Sequence, residues 1–398
     1  MESVTQETDL QSIFTEIDNS FDEIVSWRRY LHQHPELSFE ETETAKYIAD
    51  KLEDFGLVVK KNIGGHGLIG ILTGAQAGKT IALRADFDAL PIEDEKNVPY
   101  KSLNPGVMHA CGHDGHTTAL LATAQTLSKY REKIKGKIIF IFQPAEEQPP
   151  GGAKFMIEEN VLDGVDYVFA AHLDSKVPIG KASVGAGYKM AAVDKFEVKI
   201  QGIGGHGARP QDSVDSIVIG SEIVNSLQKI VSRRIDPLES AVVTIGVFHA
   251  GSAFNIIADT AKLEGTVRTF SESVRKQVKE EIYSIVEGIT KGFHAHFEID
   301  YLHGYPALYN HLEESALVQN LLSDVFSEEN VIDMDASMGA EDFSYFLLEK
   351  PGTYFKVGSQ NEDQNTQYPH HHPKFDFDER ALLNIEKSFV KIVAHYLF

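Results

Sequence analysis

Three short apolar runs, Thr80–Arg84 (TIALR), Lys137–Phe142 (KIIFIF) and Asp166–Ala171 (DYVFAA), narrow the architectures open to this chain of 398 residues. Each is β-branched or aromatic and apolar on both sides, the pattern of central strands in a parallel sheet covered by helices on both faces. Between the first two, Asp114–Lys133 has the spacing of a crossover helix; between the second and third, Gly151–Asn160 can form another. Asp22–Gln33 and Thr42–Phe55 also read as helices, the second closing at Gly56. Polar residues follow every run: Asp86 and Asp88, then Glu146 and Glu147, then His172. In an open α/β sheet ligands bind beyond the carboxyl ends of the strands, so these groups should converge on one crevice.

From about Ala186 the texture changes. Val193–Gln201 alternates apolar and polar residues, Asp212–Arg234 carries a helical apolar stripe with Asp212 as its expected N-cap, and Ser240–His249 and Ala258–Phe270 read as strands. Helical Val274–Lys291 and alternating Phe293–Leu302 complete a β-α-β-β-α-β order, the ferredoxin-like arrangement. The expected fold is therefore α/β: a mixed-sheet catalytic domain with helices on both faces, residues 1–185 and 303–398, interrupted by an α+β ferredoxin-like lid, residues 186–302. Glycines at Gly185–Gly187 and the His303–Pro306 stretch mark two hinge strands, and a final helix is expected near Glu379–Tyr396.

The chemistry concentrates in MHACGHDGHTTAL at Met108–Leu120, which holds the chain's single cysteine. Cys111 lies two residues from His113, with Asp114 and His116 beside it. Thiolate, imidazole and carboxylate donors suit divalent transition metals. PAEEQPPGG at Pro144–Gly152 and the run His370–His372 supply further donors. Each has a plainer explanation alone: a lone Cys is often a small buried hydrophobe, a His-rich loop an exposed one, and Glu146–Glu147 an acidic pair at a helix start. Together they point to a catalytic metal site. Adjacent glutamates divide the labour, one coordinating and the other free to take a proton from a metal-activated water.

A net charge of −22 opposes nucleic acid and anionic membranes as partners. No apolar run is long enough to span a bilayer, and the acidic start MESVTQETDLQSIF lacks the features of a signal peptide. One cysteine rules out an intrachain disulfide, so the expected location is cytoplasmic. There is no G-x-S-x-G for a serine hydrolase and no lysine-terminated phosphate loop.

The strings RADFDALPIEDE, MHACGHDGHTTALLATA, FQPAEEQPPGGAKFMIEENVLDGVDYVFAAH, GAEDFSYF and HHPKFDFDE resemble the M20 family of metallopeptidases, and within it the amidohydrolase branch of hippurate hydrolases, N-acyl-amino-acid deacylases and auxin-conjugate hydrolases. The resemblance covers nearly the whole chain. It implies two divalent metal ions, zinc or manganese with cobalt or nickel as further options, held by Cys111, His113, Glu147, His172 and His371, with His372 the competing choice for the last. It further implies Glu146 as general base, His206 as oxyanion donor, and Asn255 and Arg268 as binders of the substrate carboxylate. Asp88 orients the ligands, in a loop where the wider family carries a ligand His that this chain lacks. On the same basis a homodimer through the lid is expected, and closure of the lid would complete the site. The expected substrate is a small N-acyl amino acid; a dipeptidase or carboxypeptidase, and a non-catalytic metal-binding scaffold, are the rival readings.

Overall fold

The computed structural model describes residues 2–398, with side chains for all of these except 2–9 and 364. The chain first forms α1 (Glu2–Asn19), α2 (Phe21–Gln33), α3 (Thr42–Asp54), β1 (Val58–Ile63), β2 (Gly67–Thr73), β3 (Gln76–Asp86), α4 (His113–Lys129), β4 (Lys135–Gln143), α5 (Gly152–Glu158), β5 (Tyr167–Pro178), β6 (Ala182–Val184) and β7 (Gly187–Met190). It then builds β8 (Ala192–Gln201), β9 (Gly205–His206), α6 (Ser216–Arg233), β10 (Ala241–Ala250), β11 (Ile256–Ile257), β12 (Thr260–Thr269), α7 (Glu272–Gly292) and β13 (His296–His303). The last stretch contains β14 (Leu308–Asn310), α8 (Leu312–Phe326), β15 (Val331–Asp333), α9 (Ser344–Glu349), β16 (Gly352–Gln360) and α10 (Arg380–Leu397).

Two compact units result: residues 1–189, 309–335 and 342–398 form one, and 190–308 with 336–341 the other. The first is built on an eight-stranded sheet in the order β1-β2-β4-β3-β5-β16-β6-β15. Its centre is parallel, β4 and β5 flanking β3 and β16 following β5, while β1, β2 and the β16–β6 pair run antiparallel. Residues Ile81–Ala85 and Ile138–Phe142 are buried without alternation, as strands covered on both faces must be. Helix α4, the crossover between β3 and β4, is buried over most of its length and packs against α10. It ends at Lys129, and the last expected helical residues, Arg131–Lys133, form a separate 3₁₀ turn.

The second unit has the sheet order β10-β12-β8-β13, all antiparallel, with α6 and α7 packed on one face. This is the ferredoxin-like order. Helix α6 starts later than expected: Asp212 lies in a short turn opened by Pro210, Ser213 is extended, and Asp215 caps the helix by accepting from Ile217 N at 2.9 Å. The chain passes between the units after Lys189 and after Leu308, later than the glycines suggested, and crosses again after Asp335 and after Glu341. Among the described residues no helix is long and apolar enough to cross a membrane.

Candidate metal centre

Strand register sets the level of the site. Asp86 pairs with Gln143 at the end of β3 and β4, and Arg84 pairs with Ala170, so His172 stands level with Asp86. β5 does not stop there as the sequence pattern implied; it continues to Pro178 because β16 gives it a parallel partner on its other side. His172 is therefore a mid-strand residue, which fixes it more firmly than a loop position would.

Two turns bring the other donors to this level. Gly112 takes φ +90°, and a Cβ there would lie 3.2 Å from the Leu173 side chain. This left-handed residue lets Cys111 and His113, on either side of it, face the same space at the start of α4. After β4, Ala145 adopts φ +53° and its carbonyl accepts from Gly152 N, while a Cβ on Gly152 would strike the Pro144 carbonyl at 2.0 Å. The tight turn presents Glu146 and Glu147 in succession.

The donor atoms form overlapping groups, each within 4.8 Å: Cys111, His113 and His172; Cys111, Glu147 and His371; His113, Glu146 and Glu147. Donors about 2.0–2.3 Å from one ion can be no farther apart than this. The first two groups share Cys111. Of the three consecutive histidines only His371 enters these donor groups, its Nε2 lying 3.2 Å from Glu147 Oε1, while the His370 ring packs edge-on against His172. His372 Nδ1 accepts from Lys374 N and its ring stacks on Tyr368, and His370 lies against Phe375. His371 has φ +65°, and its N–H donates to Ala110 O at 2.7 Å. That bond ties it to the residue before Cys111.

Orientation comes from neighbours. Asp88 Oδ1 receives His113 Nδ1–H at 3.1 Å, while its Oδ2 accepts from Ser38 Oγ and Glu147 N, at 2.7 and 3.0 Å. His172 Nδ1–H donates to Leu173 O at 2.6 Å, leaving Nε2 to face Cys111 Sγ at 3.7 Å. Asp86 and His116 form one of the clustered groups with His113, yet His116 is committed elsewhere: Nδ1–H donates to Asp86 and Nε2 accepts from Leu173 N. Its place is behind the groups that share Cys111. The sequence reading missed His116 in this role, and missed Arg84, Gln143 and Asp342, which link Asp86 to the GAEDF segment. The sequence placed His116 only beside Cys111 and Asp342 only within GAEDFSYF; the charge alternating with apolar residues in β3 was the hint for Arg84.

Charge at the site is finely opposed. Burial disfavours the imidazolium of His113, but Asp86, Asp88 and Cys111 outweigh it and raise its pKa well above the usual value. Hydrogen bonds to Cys111 and Glu147 raise His371 to about 10. Burial, with His116 and His370 nearby, keeps His172 neutral. Burial lifts the Cys111 thiol, and Glu147 adds to the effect.

A cation fits this donor set. His113 Nε2 is buried and lacks a hydrogen-bond partner among the described residues, and 3.9 Å from it Glu147 Oε1 faces His371 Nε2 at 3.2 Å. Leaving a buried atom such as His113 Nε2 unsatisfied costs about 1–3 kcal/mol, which a positive ion shared with Glu147 would offset. The chemistry of the set, thiolate, imidazole and carboxylate, is that of a divalent metal pair.

The remaining sequence candidates lie in the second unit. His206 on β9 pairs with Ile256 on β11, and Gly207 N donates to Asn255 O, so His206 and Asn255 share one small β-bridge and both are exposed. Ala208 N donates to His206 Nδ1 at 3.1 Å, which leaves the proton of a neutral ring on Nε2. Arg268 is half-buried on the face of β12 opposite the core and makes no ion pair among the described residues; burial lowers its pKa.

The profile of peptidase family M20/M25/M40 matches residues 82–395. The chain is 45% identical over 297 residues to an N-acyl-L-amino acid amidohydrolase of Geobacillus stearothermophilus, covering 75% of this chain and 80% of that one. It is 41% identical over 373 residues to thermostable carboxypeptidase 1 of Saccharolobus solfataricus, covering 92% and 94%. In structure it resembles a Bacillus subtilis protein described as a dinuclear metal binding peptidase from the M20 family, with a TM-score of 0.80 and 34% identity, covering 96% of this chain and 99% of that one.

Proposed function

Because the chain belongs to peptidase family M20/M25/M40, we propose that it is a two-metal hydrolase that cleaves the amide bond of small N-acyl amino acids. The observation that carries this reading is the pair of donor groups sharing Cys111. Cys111, His113 and His172 would hold one ion and Cys111, Glu147 and His371 the other. Bound there, zinc or manganese, with cobalt or nickel as further options, would polarise a water and the scissile carbonyl.

The chain's own groups do the rest. Glu146 follows the Ala145 turn and shares a donor group with His113 and Glu147, so it is the carboxylate placed to accept the water's proton and pass it to the departing amine. Asp88 holds His113 by its Nδ1–H, and the Leu173 carbonyl does the same for His172, fixing which nitrogen each ring offers. His206 Nε2–H donates to the developing oxyanion. Asn255 and the unpaired Arg268 bind the substrate carboxylate, a charge-assisted contact. Exposed apolar residues of the second unit, Ile217, Val218, Phe248, Phe254 and Ile256, support a homodimer formed through it. A reducing, cytoplasmic setting, in which the single thiol stays free for metal, completes the reading.

The carboxypeptidase relative favours a second reading, hydrolysis of small peptides. Chelated protein reloaded with Mn²⁺ or Zn²⁺ and offered acetyl- and benzoyl-amino acids beside dipeptides separates them. Higher kcat/KM on the acylated substrates, lost on chelation, is expected. A preference for dipeptides moves the assignment to the peptidase, and no turnover of either class leaves only a scaffold.

A further inference from the structure

Behind the ligands lies a buried ionic cluster with no part in the chemistry above. Arg28, on α2, is wholly inaccessible to solvent. Its Nε donates to Asp114 Oδ2 at 2.9 Å, one Nη to Asp376 Oδ1 at 2.9 Å, and the other to Glu379 Oε1 at 3.3 Å. The guanidinium carbon also lies 4.3 Å from the centre of the Phe377 ring. Asp114 directly follows the candidate ligand His113, and Asp376 and Glu379 close the segment that begins with His370–His372. One side chain thus joins two stretches separated by more than 250 residues, each carrying metal donors.

Neighbouring contacts repeat the join. His32, one turn after Arg28, meets Asp114 Oδ2 through Nδ1 at 2.7 Å and accepts from Lys96 Nζ through Nε2 at 2.8 Å. Lys96 also donates to the Phe375 carbonyl, and Tyr100 donates to Asp376 Oδ2 at 2.8 Å. The two donor stretches do not depend on this cluster equally. His113 is buried and separately held by Asp88, and Asp114 keeps His32 and Gly115 N if Arg28 is removed. His371 has 52% of its side chain exposed, an unfavourable positive φ, and a single backbone bond to Ala110. Its position relies on how residues 373–379 are anchored.

We propose that Arg28 is a positioning residue that sets the place of His371 against Cys111, and so governs the affinity of the ion held by Cys111, Glu147 and His371. This rests on the two-metal reading and adds a determinant that touches neither ion. A planar guanidinium meets three carboxylates in fixed directions, which a lysine in its place would not.

Binding of Co²⁺ to metal-free protein, followed by thiolate-to-cobalt charge-transfer absorption and by the number of equivalents bound, tests it. The wild type should take two equivalents. Arg28→Gln should keep the first at wild-type affinity and weaken the second about 10–100-fold, the range for partners that orient ligands. Should Arg28→Gln fail to fold, Asp376→Asn, which keeps the shape and removes one arm, should weaken the second equivalent at least several-fold, and Asp376→Glu should restore part of the loss. Arg29→Ala, which removes contacts to Glu379 and to the Tyr100 ring from the exposed side and leaves Arg28 with its three carboxylates, should change neither. Wild-type binding of both equivalents by the folded variants overturns the proposal, as does an equal weakening of both, which would mark general destabilisation. A wild type that takes up no metal pair and shows no thiolate band overturns the two-metal reading instead.

Discussion

Around Cys111 in the first unit, polar atoms hold one another: Asp88 grips His113, Leu173 grips His172, Asp86 grips His116, and Arg28 gathers three carboxylates. In the second unit His206 and Asn255 are exposed, and Arg268 has no ionic partner among the described residues. The contrast separates two kinds of polar residue. On the two-metal proposal the groups that must stay fixed before an ion arrives are mostly braced by neighbours, His113 by Asp88 and His172 by Leu173, with half-exposed His371 the least held. The residues proposed to recognise a substrate are left able to exchange water for it, because a donor already satisfied by protein gains little from a new partner.

The sharpest way to break this comparison is at the proton carrier. Glu146→Gln should retain metal and lose about 10²–10⁴-fold in kcat; metal analysis beside steady-state kinetics decides, and an active variant removes Glu146 from its role. In the second unit, His206→Ala should lower kcat by about 10²–10³ with metal content unchanged, and Arg268→Ala should act mainly on KM for the carboxylate-bearing substrate. If His206→Ala loses metal instead, the division between bracing and recognition fails. In the first unit, Asp88→Asn should weaken metal about 10–100-fold, read by competition with a chelator, because the amide no longer holds His113 in the required orientation.

The smallest effect sharpens what burial alone does. Glu386 on α10 is buried, accepts from Thr126 Oγ1, and is lifted by that burial to about 8, well above the carboxylate range of the unfolded chain. The folded state binds this proton more tightly than the unfolded state does. Its contribution is therefore complete below about pH 4.3 and is lost as pH rises through about 8. Glu386→Gln should leave turnover unchanged and reduce the fall in unfolding free energy between pH 5 and pH 8, read from urea titrations, by on the order of 1–3 kcal/mol. An unaltered pH slope would show that water reaches the carboxylate.

Much of the architecture was legible because strand and helix periodicities are local properties. Thr80–Arg84, Lys137–Phe142 and, after Asp166, Tyr167–Ala171 lie in central strands, and the β-α-β-β-α-β order reads directly from alternation and helical stripes. The errors fall where a neighbour from elsewhere in the chain decides: β5 runs past His172 because β16 pairs with it, and α6 starts at Ser216 because Pro210–Ser213 forms a separate turn. Short motifs also pointed to Cys111, His113, Glu146 and Glu147 as candidates, and the fold brings their donor atoms into shared groups.

By itself the sequence determined which side chains could coordinate, which segments must be buried, and a net charge of −22. Only the folded chain decided that His371 and not His372 turns to Cys111, that His116 stands behind the ligands with Asp86, and that Arg28 reaches Asp376 across the core. The reason is physical. A side chain's donors are written in its chemistry, but the atom each one meets depends on backbone angles and packing contributed by residues hundreds of positions away.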